Sequence, residues 1–172
     1  HLGLVPAGEW EDSAAKVAGL GDLIAEHVDL EAVMDLAAGA PDLDVEPWDP
    51  AAALESAGWR GHCYHEPPLV GIFAGRAFTF RYPETTEMLT AAGFRVVDVD
   101  PLSDRRLPDD IQGLYLGGGF PQVHATDLET NSELAADVRS HAEAGMPIVA
   151  ECAGLLYLCR QLCLLYTSPS PR

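Results

Sequence analysis

The sequence predicts an α/β protein with a mostly parallel sheet and helices on both faces. Beyond residue 68, short apolar runs alternate with stretches of helical spacing, which is typical of parallel strands joined by helices. Glycine and proline separate these segments. The 172 residues are 48% hydrophobic, enough for a buried core. We therefore expect one domain, or one domain with part of another.

The elements before residue 68 follow from apolar spacing and proline. An apolar run at Leu2 to Val5 predicts a strand. Apolar residues recur at helical spacing from Asp12 to about Ala38 and predict two helices, the second capped near Asp29. Five prolines interrupt the chain between residues 41 and 68. This segment is predicted to be a linker with one short helix, Pro50 to Ser56.

The regular alternation begins at residue 69. Four strands are predicted, at Leu69 to Ala74, Arg95 to Val99, Gly113 to Leu116 and Pro147 to Ala150. Three helices are predicted between and after them, at Tyr82 to Ala92, about Leu128 to Ala144, and from about Gly154.

Charge and composition exclude several classes of function. The net charge is −17, from 27 acidic and 10 basic residues, and Lys16 is the only lysine. Such a surface repels phosphate backbones, so nucleic acid is not an expected partner. No run reaches the roughly 20 apolar residues of a membrane span, and no signal-peptide pattern opens the chain. The prediction is a cytoplasmic protein without a membrane segment.

The cysteines do not indicate a metal site. Cys63, Cys152, Cys159 and Cys163 have neither paired metal-ligand spacing nor the density of a disulfide scaffold. Cys159 and Cys163 are one helical turn apart, but two thiols without further ligands rarely bind a metal. We predict no metal bound by these residues.

Cys152 is the first candidate for chemistry. A buried strand turns through Glu151, Cys152, Ala153 and Gly154 into an apolar helix, the layout of a nucleophile elbow. A tight turn of this kind exposes its middle side chain at the carboxyl edge of the sheet, and small neighbours permit the backbone strain. The alternative is a buried structural thiol.

The glycine run Gly117, Gly118 and Gly119 is the second candidate. It follows a strand and lies at the same predicted edge, where backbone amides could approach a developing oxyanion. A plain tight turn is an equal alternative. A phosphate-binding loop is not indicated, because the Gly-Lys-Ser/Thr ending is absent. A thiol nucleophile also needs a base, usually histidine. No base is assigned among the six histidines, His1, His27, His62, His65, His124 and His141.

Taken in order, five segments resemble the cobyrinic acid a,c-diamide synthase family, glutamine-dependent amidotransferases of corrinoid (vitamin B12) biosynthesis. The segments are His1-Leu-Gly-Leu-Val5, Glu26-His-Val-Asp-Leu30, Ala77-Phe-Thr-Phe-Arg-Tyr-Pro-Glu84, Leu114-Tyr-Leu-Gly-Gly-Gly-Phe-Pro121 and Ala150-Glu-Cys-Ala-Gly-Leu-Leu-Tyr-Leu158. The resemblance covers nearly all of residues 1 to 162, and it strengthens Cys152 as a nucleophile.

The resemblance implies an arrangement of domains. Residues 1–45 are similar to the end of an ATP-binding amide-synthase domain, a remnant of a P-loop-type α/β fold. Residues 46–68 are then a linker, and residues 69–162 the first part of a class I type glutaminase domain. The tail, residues 163–172, departs from the family and resembles a sequencing artefact. We therefore expect a fragment that is inactive alone.

The resemblance also implies substrates and roles. Glutamine is the ammonia donor, a corrinoid acid is the acceptor, and ATP with Mg²⁺ serves the complete enzyme, which could be a homodimer. Cys152 attacks the glutamine amide, and backbone amides of Gly117, Gly118, Gly119 and Ala153 hold the oxyanion. Ala153 and Gln122 replace the family's usual glycine and glutamate. The nucleotide-binding loop and the catalytic histidine are expected outside this chain.

Three alternatives stay open at this point. A cobyric acid synthase, or a synthase acting on a nickel tetrapyrrole, would share the same elbow and differ only in its acceptor. A non-catalytic binding module would carry an inert elbow. A stand-alone cysteine hydrolase would share the sheet topology, although the family-like residues 1–40 argue against it.

Overall fold

A computed structural model describes residues 12–61 and 64–162, and the predicted strand Leu2 to Val5 lies outside them. The chain divides into two compact units, residues 1–48 and residues 49–172. The first unit contains two helices, α1 (Ser13–His27) and α2 (Leu30–Ala38), which confirms the prediction from apolar spacing. Asp29 caps α2, because its carboxylate accepts a hydrogen bond of 3.0 Å from the Ala32 amide.

The second unit is built on a four-stranded sheet. Its strands are β1 (Leu69–Phe73), β2 (Arg95–Val99), β3 (Ile111–Leu116) and β4 (Ile148–Ala150). They are ordered β2-β1-β3-β4, and all neighbouring pairs are parallel. The predicted α/β class is therefore confirmed.

Five helices accompany the sheet in the described part of this unit: α3 (Pro50–Ser56), α4 (Pro83–Ala91), α5 (Ala125–Thr130), α6 (Ser132–Glu143) and α7 (Ala153–Leu158). Proline opens both α3 and α4, where its missing amide proton costs no helical hydrogen bond. The helix α3 packs against α4, so it belongs to the second unit.

One helix prediction was wrong. The single helix expected from about Leu128 to Ala144 is two helices, which meet at Asn131. The Asn131 side chain is buried and donates hydrogen bonds of 2.7 Å to the carbonyl oxygens of Pro101 and Asp104. These bonds hold Asn131 at φ −81° and ψ 54°, outside the helical region, and so separate α5 from α6.

The core lies on one face of the sheet. Leu114 and Leu116 of β3 are buried against Leu134 and Val138 of α6. Between them, Tyr115 lies on the opposite face, because strand residues alternate. Thr85 of α4 contacts Tyr115 there. Helices therefore cover both faces, as predicted.

Aromatic rings anchor α7 to this core. The Tyr157 ring lies edge-on to Phe73, with 5.0 Å between centroids, and Phe73 in turn packs edge-on to Phe78 at 5.1 Å. Phe73 and Phe78 are fully buried, which stabilises the fold by roughly 2–3 kcal/mol for each ring. The C-terminal part of α7 is thereby held against the core.

Candidate active site

Cys152 and the glycine run lie at the ends of neighbouring strands. β3 ends at Leu116 and continues into Gly117–Gly119, while β4 ends at Ala150 and continues through Glu151 into Cys152. Leu116 and Ala150 are paired in the parallel register. Because parallel strands end at the same edge, the two segments meet at the carboxyl edge of the sheet.

The backbone of Cys152 has the conformation of a nucleophile elbow. Its φ is +50° and its ψ is −113°, and within residues 12–61 and 64–162 it is the one non-glycine residue with positive φ. Such a conformation costs on the order of 1–3 kcal/mol and persists only when its surroundings hold it. The side chain is exposed, so the alternative of a buried structural thiol was wrong for the described structure.

Two hydrogen bonds attach the elbow to the end of β3 and to the glycine run. The Glu151 amide donates to the carbonyl oxygen of Leu116 at 3.0 Å, and the Gly154 amide donates to that of Gly117, also at 3.0 Å. A Cβ atom at position 154 would collide with the Leu116 carbonyl oxygen. Ala153, between Cys152 and Gly154, is fully buried. The turn therefore has room for only small residues after the cysteine.

The segment Ala77–Tyr82 lies against the glycine run. The Phe80 amide donates to the carbonyl oxygen of Gly118, and the Phe120 amide donates to that of Ala77, both at 3.1 Å. A Cβ atom on Gly119 would collide with the Ala77 carbonyl oxygen. Close backbone approach, rather than turn geometry alone, thus explains glycine at this position.

The bonds that hold the glycine run use its carbonyl groups. Gly117 accepts from Gly154, and Gly118 accepts from Phe80. Neither bond takes an amide proton from the run. The amide of Ala153 begins α7, where amide protons have no partner within the helix. Chemically, this edge combines an exposed thiol with nearby main-chain donors.

A tyrosine and a glutamate stand beside the cysteine. The Tyr115 hydroxyl donates a hydrogen bond to Oε1 of Glu151, the residue before Cys152. Burial, together with the hydrogen bond and charge of Glu151, raises the pKa of Tyr115 to about 12, although an interaction with the Thr85 hydroxyl opposes the shift. This pair was not predicted from the sequence, where the one pointer to it was the position of both residues near the ends of strands predicted to be parallel.

A bidentate ion pair fixes the segment that covers the glycines. Arg81 contacts both carboxylate oxygens of Asp98 on β2, at 2.8 and 2.6 Å. The rings of Phe80 and Phe120 pack edge-on at 5.1 Å beside it. Phe80 remains 45% exposed, so an aromatic surface borders the glycine run.

The described histidines do not identify a base. His27 ends α1 in the first unit, and His65 is exposed. His124 is buried at the start of α5, and its carbonyl oxygen accepts from the Leu128 amide. The ring Nδ1 of His141 lies 2.9 Å from the Asp137 carbonyl oxygen on the same helix. His1 and His62 lie outside the described residues.

The side chains that could bind a metal ion or a nucleotide do not form a cluster in the described residues. Within residues 12–61 and 64–162, no cluster of three or more His, Cys, Asp or Glu side chains has the geometry to hold a metal ion. The only lysine of the chain lies on α1, and the glycine run continues into Phe120. The described residues therefore do not fit Mg²⁺ or ATP phosphates. No helix in these ranges combines the length and apolar character needed to cross a membrane.

Comparison with known proteins agrees with the resemblance found in the sequence. The chain is 48% identical over 163 residues to hydrogenobyrinate a,c-diamide synthase of Thermobifida fusca (strain YX), covering 94% of this chain and 34% of that protein. It is 40% identical over 193 residues to the enzyme of the same name from Streptomyces coelicolor, covering 94% and 38%. It is 38% identical over 162 residues to cobyrinate a,c-diamide synthase of Magnetococcus marinus, covering 94% and 34%.

The chain thus spans about a third of the length of these curated relatives. No solved structure matches it significantly. The sequence pattern of one protein family matches residues 70–168, more than half of the chain, and these include the glycine run and the cysteine elbow. The chain belongs to the CobB/CobQ-like glutamine amidotransferase domain family.

Proposed function

We propose that this chain is part of an ATP- and glutamine-dependent amidotransferase that converts the a and c acetate side chains of cobyrinic or hydrogenobyrinic acid to amides. The observation that carries the proposal is the exposed Cys152 in a strained turn, bonded to the glycine run. The names of the relatives supply the acceptor: all three are a,c-diamide synthases. The proposed enzyme is cytoplasmic and acts on small molecules.

The glutaminase half-reaction uses residues of this chain. The Cys152 sulfur attacks the side-chain amide carbon of glutamine, and the carbonyl oxygen becomes an oxyanion that the amides of Gly118 and Ala153 stabilise. Collapse of this intermediate breaks the carbon–nitrogen bond and releases ammonia, leaving a thioester. Water then cleaves the thioester to glutamate and regenerates the thiol. The thiol proton passes through the catalytic histidine that the family resemblance implies, expected outside this chain, to the departing ammonia.

The synthetase half-reaction is proposed for the longer protein. ATP with Mg²⁺ supplies activation of the acceptor carboxylates there. The ammonia released at Cys152 then forms the amide bond. Residues 1–45 are proposed to belong to the domain that performs this activation, and the division of the chain between residues 48 and 49 supports a boundary near this point.

The experiment is to replace Cys152 in the full-length protein that contains this chain. Cys152→Ala should abolish amidation driven by glutamine while amidation driven by added ammonium salts continues, because only the ammonia source is lost. Cys159→Ala, which removes another exposed thiol, should retain both activities. Loss of both activities in Cys152→Ala, or loss of neither, would contradict the role of Cys152 as the nucleophile.

The acceptor needs a separate measurement. We expect the wild-type protein to amidate cobyrinic or hydrogenobyrinic acid twice and then stop. Turnover of the a,c-diamide, with no turnover of the free acids, would instead assign a cobyric acid synthase. Activity with a nickel tetrapyrrole alone would assign the other alternative. Mass spectrometry separates these outcomes, because each amidation lowers the mass of the acceptor by about one unit.

A further inference from the structure

We propose that Tyr115 and Glu151 form a positioning pair for Cys152, in which the Tyr115 hydroxyl holds the Glu151 side chain and thereby the main chain that turns at the cysteine. The inference rests on the proposed function and adds two residues to it. Neither residue is proposed to touch the reacting atoms.

Glu151 is held at three points. Its amide donates to the Leu116 carbonyl oxygen at 3.0 Å, and its own carbonyl oxygen accepts from the Gly154 amide at 2.9 Å. Its carboxylate accepts from the Tyr115 hydroxyl. Both the main chain and the side chain of the residue that precedes the strained cysteine are therefore engaged. A strained residue with positive φ persists only when several contacts in its surroundings hold it, and these bonds supply such contacts.

Tyr115 can serve as the fixed end of this pair. It lies in the middle of the sheet, where its strand pairs with Ile72 of β1 on one side and Val149 of β4 on the other. Thr85 of α4 lies close to its hydroxyl. Glu151, by contrast, is exposed and follows the short strand β4. The hydroxyl thus connects the end of β4 to the interior strand β3.

The protonation state suits this role. The raised pKa of Tyr115 keeps the phenol protonated throughout the neutral range, so it remains the donor and Glu151 the acceptor. A glutamine at position 151 would still offer a carbonyl oxygen to the hydroxyl. An alanine at 151 or a phenylalanine at 115 would remove the bond. These substitutions distinguish a positioning bond from an effect of the negative charge.

The test uses Glu151→Ala, Glu151→Gln, Tyr115→Phe and the double variant Tyr115→Phe/Glu151→Ala in the full-length protein. For glutamine hydrolysis, Glu151→Ala and Tyr115→Phe should each lower kcat by about tenfold, with KM changed by less than about threefold, since positioning acts on the nucleophile rather than on glutamine binding. Glu151→Gln should keep most of the activity. The kcat of the double variant should be no lower than that of the less active single variant. Amidation driven by ammonium salts serves as the folding control.

Alkylation of Cys152 gives a second readout that needs no turnover. Iodoacetamide modification, located by peptide mass spectrometry, should change in rate at Cys152 by about threefold or more in Glu151→Ala and Tyr115→Phe, and return towards wild type in Glu151→Gln. The rate at exposed Cys159 should stay constant.

Several outcomes would overturn the pair. If the fold-loss of kcat in the double variant equals the product of the two single losses, the two residues act separately. A Glu151→Gln variant as slow as Glu151→Ala would assign the effect to charge. An unchanged alkylation rate in all variants would show that the bond does not position the thiol. If wild type hydrolyses no glutamine, the proposed function fails, and the alkylation series still decides whether the pair positions Cys152.

Discussion

The amide of Gly154 donates a hydrogen bond of 3.0 Å to the carbonyl oxygen of Gly117. This bond joins the cysteine elbow to the glycine run, so the nucleophile candidate and the oxyanion candidates form one structural unit. It also requires close contact, because Gly154 packs directly against Leu116, the last residue of β3. The geometry of the site and the stability of the sheet edge therefore depend on the same atoms.

Gly154→Ala tests this contact by the sign of its effect on stability. Gly154 is in α7, and glycine to alanine within a helix usually stabilises a protein by about 0.5–1 kcal/mol. Here the added methyl would collide with the Leu116 carbonyl oxygen. We expect the free energy of unfolding, measured by urea denaturation, to fall by roughly 1–3 kcal/mol.

The matched control is Gly113→Ala on β3. A methyl at this position would lie 3.6 Å from Val70 Cγ2 and 3.7 Å from the Pro147 carbonyl oxygen, which are ordinary contact distances. This variant should be within about 0.5 kcal/mol of wild type. A Gly154→Ala protein as stable as Gly113→Ala would contradict the close packing of the elbow.

Cys152→Gly should stabilise the protein while removing the thiol. At φ +50° and ψ −113°, a side chain is strained and glycine is not. We expect the free energy of unfolding of Cys152→Gly to exceed that of Cys152→Ala by about 1 kcal/mol, since alanine keeps the Cβ atom and its strain. Thermal unfolding monitored by circular dichroism measures the difference. Equal stabilities would show that the turn relaxes without cost.

Local sequence was sufficient to predict the sheet and the elbow. The strand Arg95–Val99 and the helix Pro50–Ser56 have the predicted bounds, because alternating or clustered apolar residues end there at glycine or proline. The elbow was predicted from a strand, small residues and a helix in immediate succession. Each of these signals lies within a few residues of the feature that it predicts.

Features that depend on distant contacts were not predicted. The break between α5 and α6 arises because Asn131 bonds to carbonyl oxygens 27 and 30 residues earlier. The pairing of Tyr115 with Glu151 depends on the register that sets Tyr115 opposite Val149. No local pattern encodes either relationship, since both follow from how separate strands and loops meet in three dimensions.

Asn131→Asp should destabilise the protein more than Asn131→Ala. Alanine removes two hydrogen-bond donors from buried carbonyl groups, which costs on the order of 1–3 kcal/mol. Aspartate also removes them and places a negative charge against the same oxygens. The Arg105 guanidinium, 3.5 Å from Oδ1, offsets only part of this charge. Urea denaturation at pH 7 ranks the variants, and equal losses would contradict the repulsion between the aspartate charge and these oxygens.

The stability of the protein at high pH should depend on the Tyr157 phenol. Burial raises the pKa of Tyr157 in the folded protein from 10.0 to about 12. A group whose folded-state pKa is raised contributes stability that is fully present below pH 10 and is lost as the pH rises towards 12. Tyr157→Phe keeps the ring against Phe73 and removes this ionisation.

Between pH 8 and pH 11 the free energy of unfolding of wild type should therefore fall by about 1 kcal/mol more than that of Tyr157→Phe, after allowance for partial exposure of the ring. Tyr115 has a pKa raised in the same direction, but it is present in both proteins and cancels in the comparison. Tyr82→Phe, at an exposed position, controls for the loss of a phenol. Parallel pH curves for wild type and Tyr157→Phe would mean that the phenol ionises without disturbing the packing of α7 on the core.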